Sequence, residues 1–153
     1  MPTITLDEIK SAHENVASMI AKFEAQAKAE AAFPITITFP ELNPGEKFAG
    51  VIISADGTKR EYIILLPGQF KGSWDDSMAW AKSIGGELFD RTEGALLFAT
   101  MKDEFKPEWH WTREQHAAYS GDAWTQHFND GSQSYSLKSA QGLARAVRRL
   151  EIQ

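Results

Sequence analysis

Apolar residues near the N-terminus recur in alternating steps of three and four. Leu6, Ile9, His13, Val16, Ile20, Phe23 and Ala27 occupy the repeating positions. This is the spacing of a heptad seam on a helix, held for about three heptads. Thr5-Leu6-Asp7-Glu8 ahead of it reads as a capping box, in which the threonine hydroxyl takes an orphan N–H and the glutamate reaches back. Asp7, Glu8, Glu14, Asn15 and Lys22 fall on the opposite face, while Ala12, Ala17 and Met19 widen the apolar stripe. A helix packed on its own domain and a coiled coil share this pattern, and the heptad spacing favours self-association. In that register Leu6, His13, Ile20 and Ala27 take the a positions, and Ile9, Val16 and Phe23 the d positions. β-Branched residues at d favour more than two strands, so the expected homo-oligomer is larger than a dimer. His13 becomes a polar residue that sets the register. The predicted oligomerisation residues are Leu6, Ile9, His13, Val16, Ile20 and Phe23.

The pattern then changes. Ala25–Ala32 continues the helix, and Phe33-Pro34 ends it, because proline disfavours helical backbone in the residue before it. Ile35-Thr36-Ile37-Thr38-Phe39 alternates with period two and predicts a half-buried strand. After a loop from Pro40 to Pro44, Phe48–Ser54 and Tyr62–Leu66 flank Asp56-Gly57 and predict a hairpin, with positive φ at both central turn residues. A helix follows from Ser73, with Trp74, Met78, Ala81 and Ile84 on one face and Gly85-Gly86 as its stop. A second helix is expected over Thr92–Met101, with Ala95, Leu96, Phe98 and Ala99 as its apolar positions. From Pro107 onward the chain breaks into short aromatic-rich runs: Trp109–Thr112, Ala123–Phe128 and Ala144–Arg148. Asn129-Asp130-Gly131-Ser132 forms a turn between them. The expected class is therefore α+β, with an oligomerisation helix over residues 1–32 and a hairpin-containing domain over 33–153.

Composition narrows the function. The 153 residues are 42% hydrophobic and 24% charged, enough to build a globular core. The net charge of −5 speaks against a nucleic-acid binder, which usually carries a basic footprint. The basic cluster Arg145, Arg148 and Arg149 is confined to the C-terminal end. With no cysteine, disulfides, thiolate metal sites and cysteine nucleophiles are excluded, and a reducing compartment is favoured. The N-terminus shows no signal-peptide pattern, and no apolar run approaches membrane length. The expected setting is the cytoplasm of a host cell or a virion, without a membrane partner.

Three blocks carry a resemblance. Ser73-Trp74-Asp75-Asp76-Ser77-Met78-Ala79-Trp80-Ala81 through Ile84-Gly85-Gly86-Glu87-Leu88 resembles the first helix of C-type-lectin-like domains. Arg91-Thr92-Glu93 through Leu96-Leu97 resembles their second helix. Ala123-Trp124, Asp130-Gly131-Ser132 and Ala144-Arg145-Ala146-Val147-Arg148-Arg149 resemble the closing strands of the bacterial and phage lectin-like family of unknown function. The resemblance spans about residues 61–150. It implies two helices flanking a small twisted antiparallel sheet, long loops on one side, and binding in place of catalysis, although one fold hosts many functions. The leading helix and hairpin resemble phage-encoded relatives. Pro107-Glu108-Trp109 and Phe128-Asn129-Asp130 depart from the calcium-dependent sugar motifs of animal lectins. The absence of cysteine excludes the chemistry of the related formylglycine-generating enzymes.

The candidate chemistry is sparse. His110, His116 and His127 cluster in sequence without a tight metal-ligand spacing, and no Gly-x-Ser-x-Gly elbow is present. A hydrolase or metal-dependent enzyme built on these histidines, or on His127 with Asp122 or Asp130, is the alternative reading. No catalytic residue, metal or cofactor is predicted. The leading reading is a non-enzymatic, phage- or prophage-encoded binding protein with a protein or glycan partner. It would serve as a virion accessory or receptor-contacting component, or as an inhibitor of a host defence complex. Trp74, Trp80, Trp109, Trp111 and Trp124 are assigned to the core. On the strand through Trp124, alternation puts Trp124 and Phe128 inward and His127 outward. Arg113, His116 and Tyr119 are read as a loop, and the predicted partner-binding patch is Arg113, His116, Tyr119, Asp122, His127 and Tyr135.

Overall fold

A computed structural model of the chain describes residues 3–31 and 38–153, with the side chains of residues 30 and 31 left out. It divides into two units, Met1–Phe39 and Pro40–Gln153. Among the described residues there are three α-helices and two sheets, a mixed α+β arrangement that includes a long N-terminal helix.

The N-terminal unit is built on α1, Leu6–Ala31. Its start is the capping box expected from Thr5 and Glu8. The Thr5 amide donates to Glu8 Oε2 at 2.8 Å, and the Glu8 amide donates to Thr5 Oγ1 at 3.3 Å. Asp7 and Glu8 in the first turn and Lys28 in the last complement the helix dipole. The heptad positions Leu6, Ile9, Val16, Ile20 and Phe23 are all exposed, Phe23 at 72%. The predicted helix stop at Phe33-Pro34 lies outside the described residues. So does most of the predicted strand at 35–39, and Thr38 and Phe39 have no regular secondary structure.

In the second unit, β1 (Lys47–Ile53) and β2 (Arg60–Leu65) form the expected hairpin, paired from Ile53↔Arg60 to Lys47↔Leu65 with a register slip between Phe48 and Gly50. Its turn differs from the expectation. Only Gly57 has positive φ (72°), and Asp56 does not. The Gly57 amide closes a turn on Ser54 O at 2.8 Å, and Asp56 Oδ1 accepts from Ser54 Oγ and the Thr58 amide. Those donors hold the Asp56 carboxyl down at about 2, with the Ser54 hydroxyl the largest cause. Side-chain bonding by aspartate thus replaces a left-handed backbone at that position.

Strand β3 (Phe70–Gly72) leads into α2 (Trp74–Ser83), capped by Ser73, whose hydroxyl accepts the Asp76 amide. The helix ends in a Schellman arrangement: the Gly86 amide donates to Ala81 O and the Gly85 amide to Lys82 O. Gly85 takes φ 84°. At Gly86 a Cβ would lie 2.5 Å from Leu66 Cδ1 and 2.7 Å from Val147 O, so the chain can pass there only without a side chain. Strand β4 (Glu87–Leu88) precedes α3 (Arg91–Met101), which Asp90 and Glu93 cap reciprocally. The buried positions of α3 are Glu93, Gly94 and Leu97. Ala95 and Ala99, expected on its apolar face, are exposed, because α3 turns the face of Leu97 to the core.

The remaining strands are β5 (Trp109–Gln115), β6 (Asp122–His127), β7 (Gln133–Leu137), β8 (Gly142–Ala144) and β9 (Ala146–Glu151). One sheet runs β1-β2-β9-β4 and the other β3-β8-β5-β6-β7. Strands β8 and β9 are one run of chain that changes sheet at Arg145. That guanidinium donates to Leu66 O at 3.2 Å and also to Glu104 O, so it bridges carbonyls at the crossover. Burial there pushes the Arg145 pKa down. Arg148 pairs with Glu46 at 2.7 Å, and Arg149 with Glu93 and Glu87 at 2.5 Å. The C-terminal arginines are thus consumed within the fold.

Ala49, Ile63, Leu65, Phe89, Leu97, Phe105, Phe128 and Val147 form one core cluster. Leu66, Ala81, Leu88, Trp111, Ala123, Ala144 and Ala146 form a second, covered by Phe70, Trp74, Met78 and Trp80. Among the described residues no helix is long and apolar enough to cross a membrane.

Candidate functional site

The site follows from an irregularity in β5. At its start the pairing with β6 is regular: Trp109↔His127, His110↔Gln126, Trp111↔Thr125. It then slips, resuming only at Gln115↔Ala123. The extra residues bulge away from β6, and the Arg113 amide bonds Phe89 O at 2.9 Å instead. Arg113 is therefore a strand residue and not part of the loop. Its guanidinium is drawn to Glu87 at 3.2 Å and Asp90 at 3.5 Å.

Past the bulge the chain turns tightly from His116 to Asp122. The His116 amide donates to Asp122 O and the Asp122 amide to Tyr119 O, both at 2.9 Å. His116 Nδ1 accepts the amides of Ala118 (3.2 Å) and Tyr119 (3.1 Å). The ring thus acts as a cap for its own loop, which leaves Nε2 as its N–H. This fixed loop brings four rings together. His116 stacks on Tyr119 (centroids 4.8 Å) and on Trp124 (5.1 Å), and lies 4.3 Å from Tyr135. Tyr135, opposite Trp124 in the β6–β7 ladder, meets its edge at 5.5 Å. Arg91, the first residue of α3, lies with its guanidinium carbon 3.7 Å from the Trp124 ring centre. Its Nε donates to Gln133 Oε1 at 3.0 Å, and Gln133 in turn donates to the buried Gln126. Tyr119 is 56% exposed and Tyr135 42%, so this aromatic cluster opens to solvent.

Of the six predicted partner-binding residues, the structure gathers His116, Tyr119 and Tyr135, with Asp122 closing the loop beneath them. Arg113 is tied into ion pairs. His127 pairs with Trp109 at the start of β5, where the two rings meet at 4.6 Å. His127 Nδ1 accepts the Asn129 amide at 3.3 Å and lies 3.3 Å from Asp130 Oδ1. With Lys71, Glu108 and Gln141, these rings line a cavity of ≈ 230 Å³.

The three clustered histidines occupy three different surroundings. His110 is fully buried, its ring packed on Phe105 (5.3 Å) and Phe128 (4.9 Å), with Nε2 unpartnered. Burial lowers its pKa to about 4, against the opposing pull of the Glu108 carbonyl. Among the described residues no three His, Cys, Asp or Glu side chains are gathered as a metal site.

Two tryptophans depart from the core assignment. Trp111 is buried at 1% exposure, but Trp109 is 41% exposed, and Trp124 is half-buried under Arg91. On β6 Thr125 is buried, as is Phe128 just past its end, and His127 is half-buried. Trp124 and Arg91 are the site residues that the linear pattern missed. Alternation places Trp124 on the same face as Gln126 and Phe128, which are both buried, so the linear pattern gave no signal that Trp124 would be half-buried. Arg91 reaches the site only through the packing of α3, which no local pattern encodes. Neither a family model nor a curated protein matches the sequence.

Proposed function

We propose that the chain is a non-enzymatic binding protein that engages a protein partner through the ring cluster of His116, Tyr119, Trp124 and Tyr135. The observation that carries this reading is the cluster itself. Two tyrosines stand open to solvent, braced by a histidine, a tryptophan and a stacked guanidinium. Tyr, Trp and Arg dominate the energetic centres of protein interfaces, since they supply large rigid contact area at low entropic cost. The second unit is read as a C-type-lectin-like domain. That reading is supported by two capped helices set among two small sheets, antiparallel except where β5 meets β8, and by a closing strand returning beside the hairpin. The cluster then lies in the loop and sheet region where such domains carry recognition. A phage or prophage origin belongs to the same reading. The protein would act in a virion or in the host cytoplasm, as an accessory or receptor-contacting component or as an inhibitor of a host complex.

The test is affinity capture from host lysate and from purified virions, followed by titration of the captured protein. Tyr119→Ala and Tyr135→Ala should each weaken binding by about 2 kcal/mol or more, while His127→Ala and Arg113→Ala bind like the parent. Capture insensitive to both tyrosine changes would move the working surface elsewhere.

In the same reading α1 joins copies of the chain into a homo-oligomer through Leu6, Ile9, His13, Val16, Ile20 and Phe23. The exposure of this seam supports it, because a stripe of that kind is normally covered by another helix. Replacing Ile9, Val16 and Ile20 with glutamate should give monomers that retain the folded second unit. A parent protein that is monomeric by light scattering at tens of micromolar, roughly the range of ordinary assembly affinities, would remove the idea.

A further inference from the structure

Strand β7 is an edge of its sheet, and the hydrogen-bond phase shows which of its groups are free. The His127 amide donates to Ser132 O and the Lys138 amide to Gly121 O. In an antiparallel ladder this places Ser132, Ser134, Ser136 and Lys138 in the bonded pairs with β6. The backbone N–H and C=O groups of Gln133 and Tyr135 and the N–H of Leu137 therefore point away from the sheet, whereas the Leu137 carbonyl is taken by the Ala140 amide at 2.9 Å. Natural edges are usually blunted by charge, proline, a bulge or brevity. Strands β3 and β4 have three and two residues, and β1 is broken by a register slip at Phe48/Gly50. Strand β7 has none of these defences. Gln-Ser-Tyr-Ser-Leu is uncharged and in unbroken register with β6, and all but Gln133 are exposed.

We infer that this edge accepts an added strand: an extended segment of the partner protein, bearing an acidic residue, pairs with Gln133–Leu137. The inference rests on the ring cluster being the binding surface and names the form of what binds there. A row of outward amides and carbonyls is complementary only to another extended backbone. In such a pairing every second side chain of the added strand falls on the face of Tyr135, within contact of a directly opposite residue, and so meets Tyr119 and His116.

Charge selects the acidic side chain. Arg113, Arg148 and Arg149 each hold a carboxylate. The Arg91 guanidinium, on the cluster face beside Gln133, is bonded only to an amide oxygen and stacked on Trp124. Glu114 bonds the Arg91 backbone amide, not its guanidinium. Among the described residues no carboxylate neutralises this cation, and a bidentate carboxylate on the added strand would suit its fork.

A random twelve-residue peptide library panned on the full chain supplies the probe, and the strongest binder is then made as a synthetic peptide. Selected peptides should alternate β-branched or aromatic residues and carry Asp or Glu at a fixed position. Leu137→Pro should weaken the peptide at least tenfold with the melting temperature unchanged, because proline is tolerated where the lost N–H faces solvent. Arg91→Gln should weaken acidic peptides and spare their amide-substituted versions. On the parent protein, exchange of the Tyr135 and Leu137 amides should slow when the peptide binds, a readout that stands even if the proline variant unfolds. Three results each overturn strand addition: no enriched peptide, peptides that leave those amides exchanging freely, or an edge already filled by a second copy, seen as a Leu137→Pro-sensitive change in mass. If binding falls with Tyr119→Ala while the amides stay unprotected, the ring cluster remains the binding surface and only the added strand is lost.

Discussion

His110 near the start of β5 and His116 just past its end are both packed among aromatic rings, and their surroundings are opposite in kind. Around His110 the rings of Phe105 and Phe128 are buried and stacked on each other at 3.8 Å, with Phe89 packed against both of them in turn. They close over the imidazole and leave its Nε2 without a partner. Around His116 the rings are those of Tyr119, Trp124 and Tyr135, amphipathic where the others are purely apolar, and two of them are exposed. Phenylalanine has nothing to offer solvent and is sealed in, whereas tyrosine and tryptophan keep a polar tip and can stand at a boundary. Ring clustering alone therefore does not distinguish core from surface. The polar atoms the rings carry, and whether a loop or a helix covers them, decide which a cluster becomes.

The largest effect that would test this contrast is on stability. Phe128→Ala should cost about 3–5 kcal/mol, the range for truncating a large core ring, because Phe128 touches Phe89, Phe98, Phe105 and His110 together. Denaturant midpoints read at constant slope measure it. A loss no greater than that of Tyr135→Ala would erase the distinction between the two clusters.

The next effect is on pH dependence. The folded His110 pKa lies near 4, below its ordinary 6.5, so the unfolded chain binds more protons between those values. Stability is full above pH 6.5 and falls as pH drops toward 4. The loss amounts to about 3 kcal/mol, at 1.36 kcal/mol per pKa unit. His110→Gln should flatten the curve in that window. The carboxyls of Glu46, held at about 2 chiefly by Arg148, and of Asp56 lose their contribution over a lower window, from their ordinary 4.5 and 3.8 down to about 2. A parent protein whose stability is level between pH 6.5 and 4.5 would mean that His110 is solvated.

Local signals carried the parts of this fold that local physics determines. The Thr5–Glu8 box, the Ser73 cap, the Gly85-Gly86 stop and the Asp56-Gly57 hairpin each depend on residues a few positions apart, and each is present. What the sequence did not reveal depends on distant pairing. The β5 bulge that carries Arg113 to Glu87 and Asp90 has no composition signature. The short strands β3, β4 and β8 exist only because other strands are there to pair with them. Burial of Leu97 in place of Ala95 and Ala99 reflects which way α3 is rolled. At the candidate site His116, Tyr119 and Tyr135 were legible as a group because a turn and a hairpin bring them together. Arg91 was not, since it arrives from another element.

The smallest stability effect belongs to the open cluster. The loop carrying Tyr119 is held by backbone groups: its amide donates to His116 Nδ1, and its carbonyl accepts the Asp122 amide. Neither bond uses the phenol ring, which is 56% exposed. Tyr119→Ala should therefore shift folding stability by no more than about 0.5 kcal/mol, as expected for a surface side chain without a structural bond. Tyr119→Pro, by contrast, deletes the amide that His116 accepts and should loosen the loop even though both changes remove the same ring. Comparing the two by denaturation, and by amide exchange across residues 116–122, separates the loop's scaffold from its contact surface. If the alanine variant destabilises as much as the proline variant, the ring itself is holding the loop, and any loss of partner binding in Tyr119→Ala would have to be read as misfolding of the site and not as a missing contact.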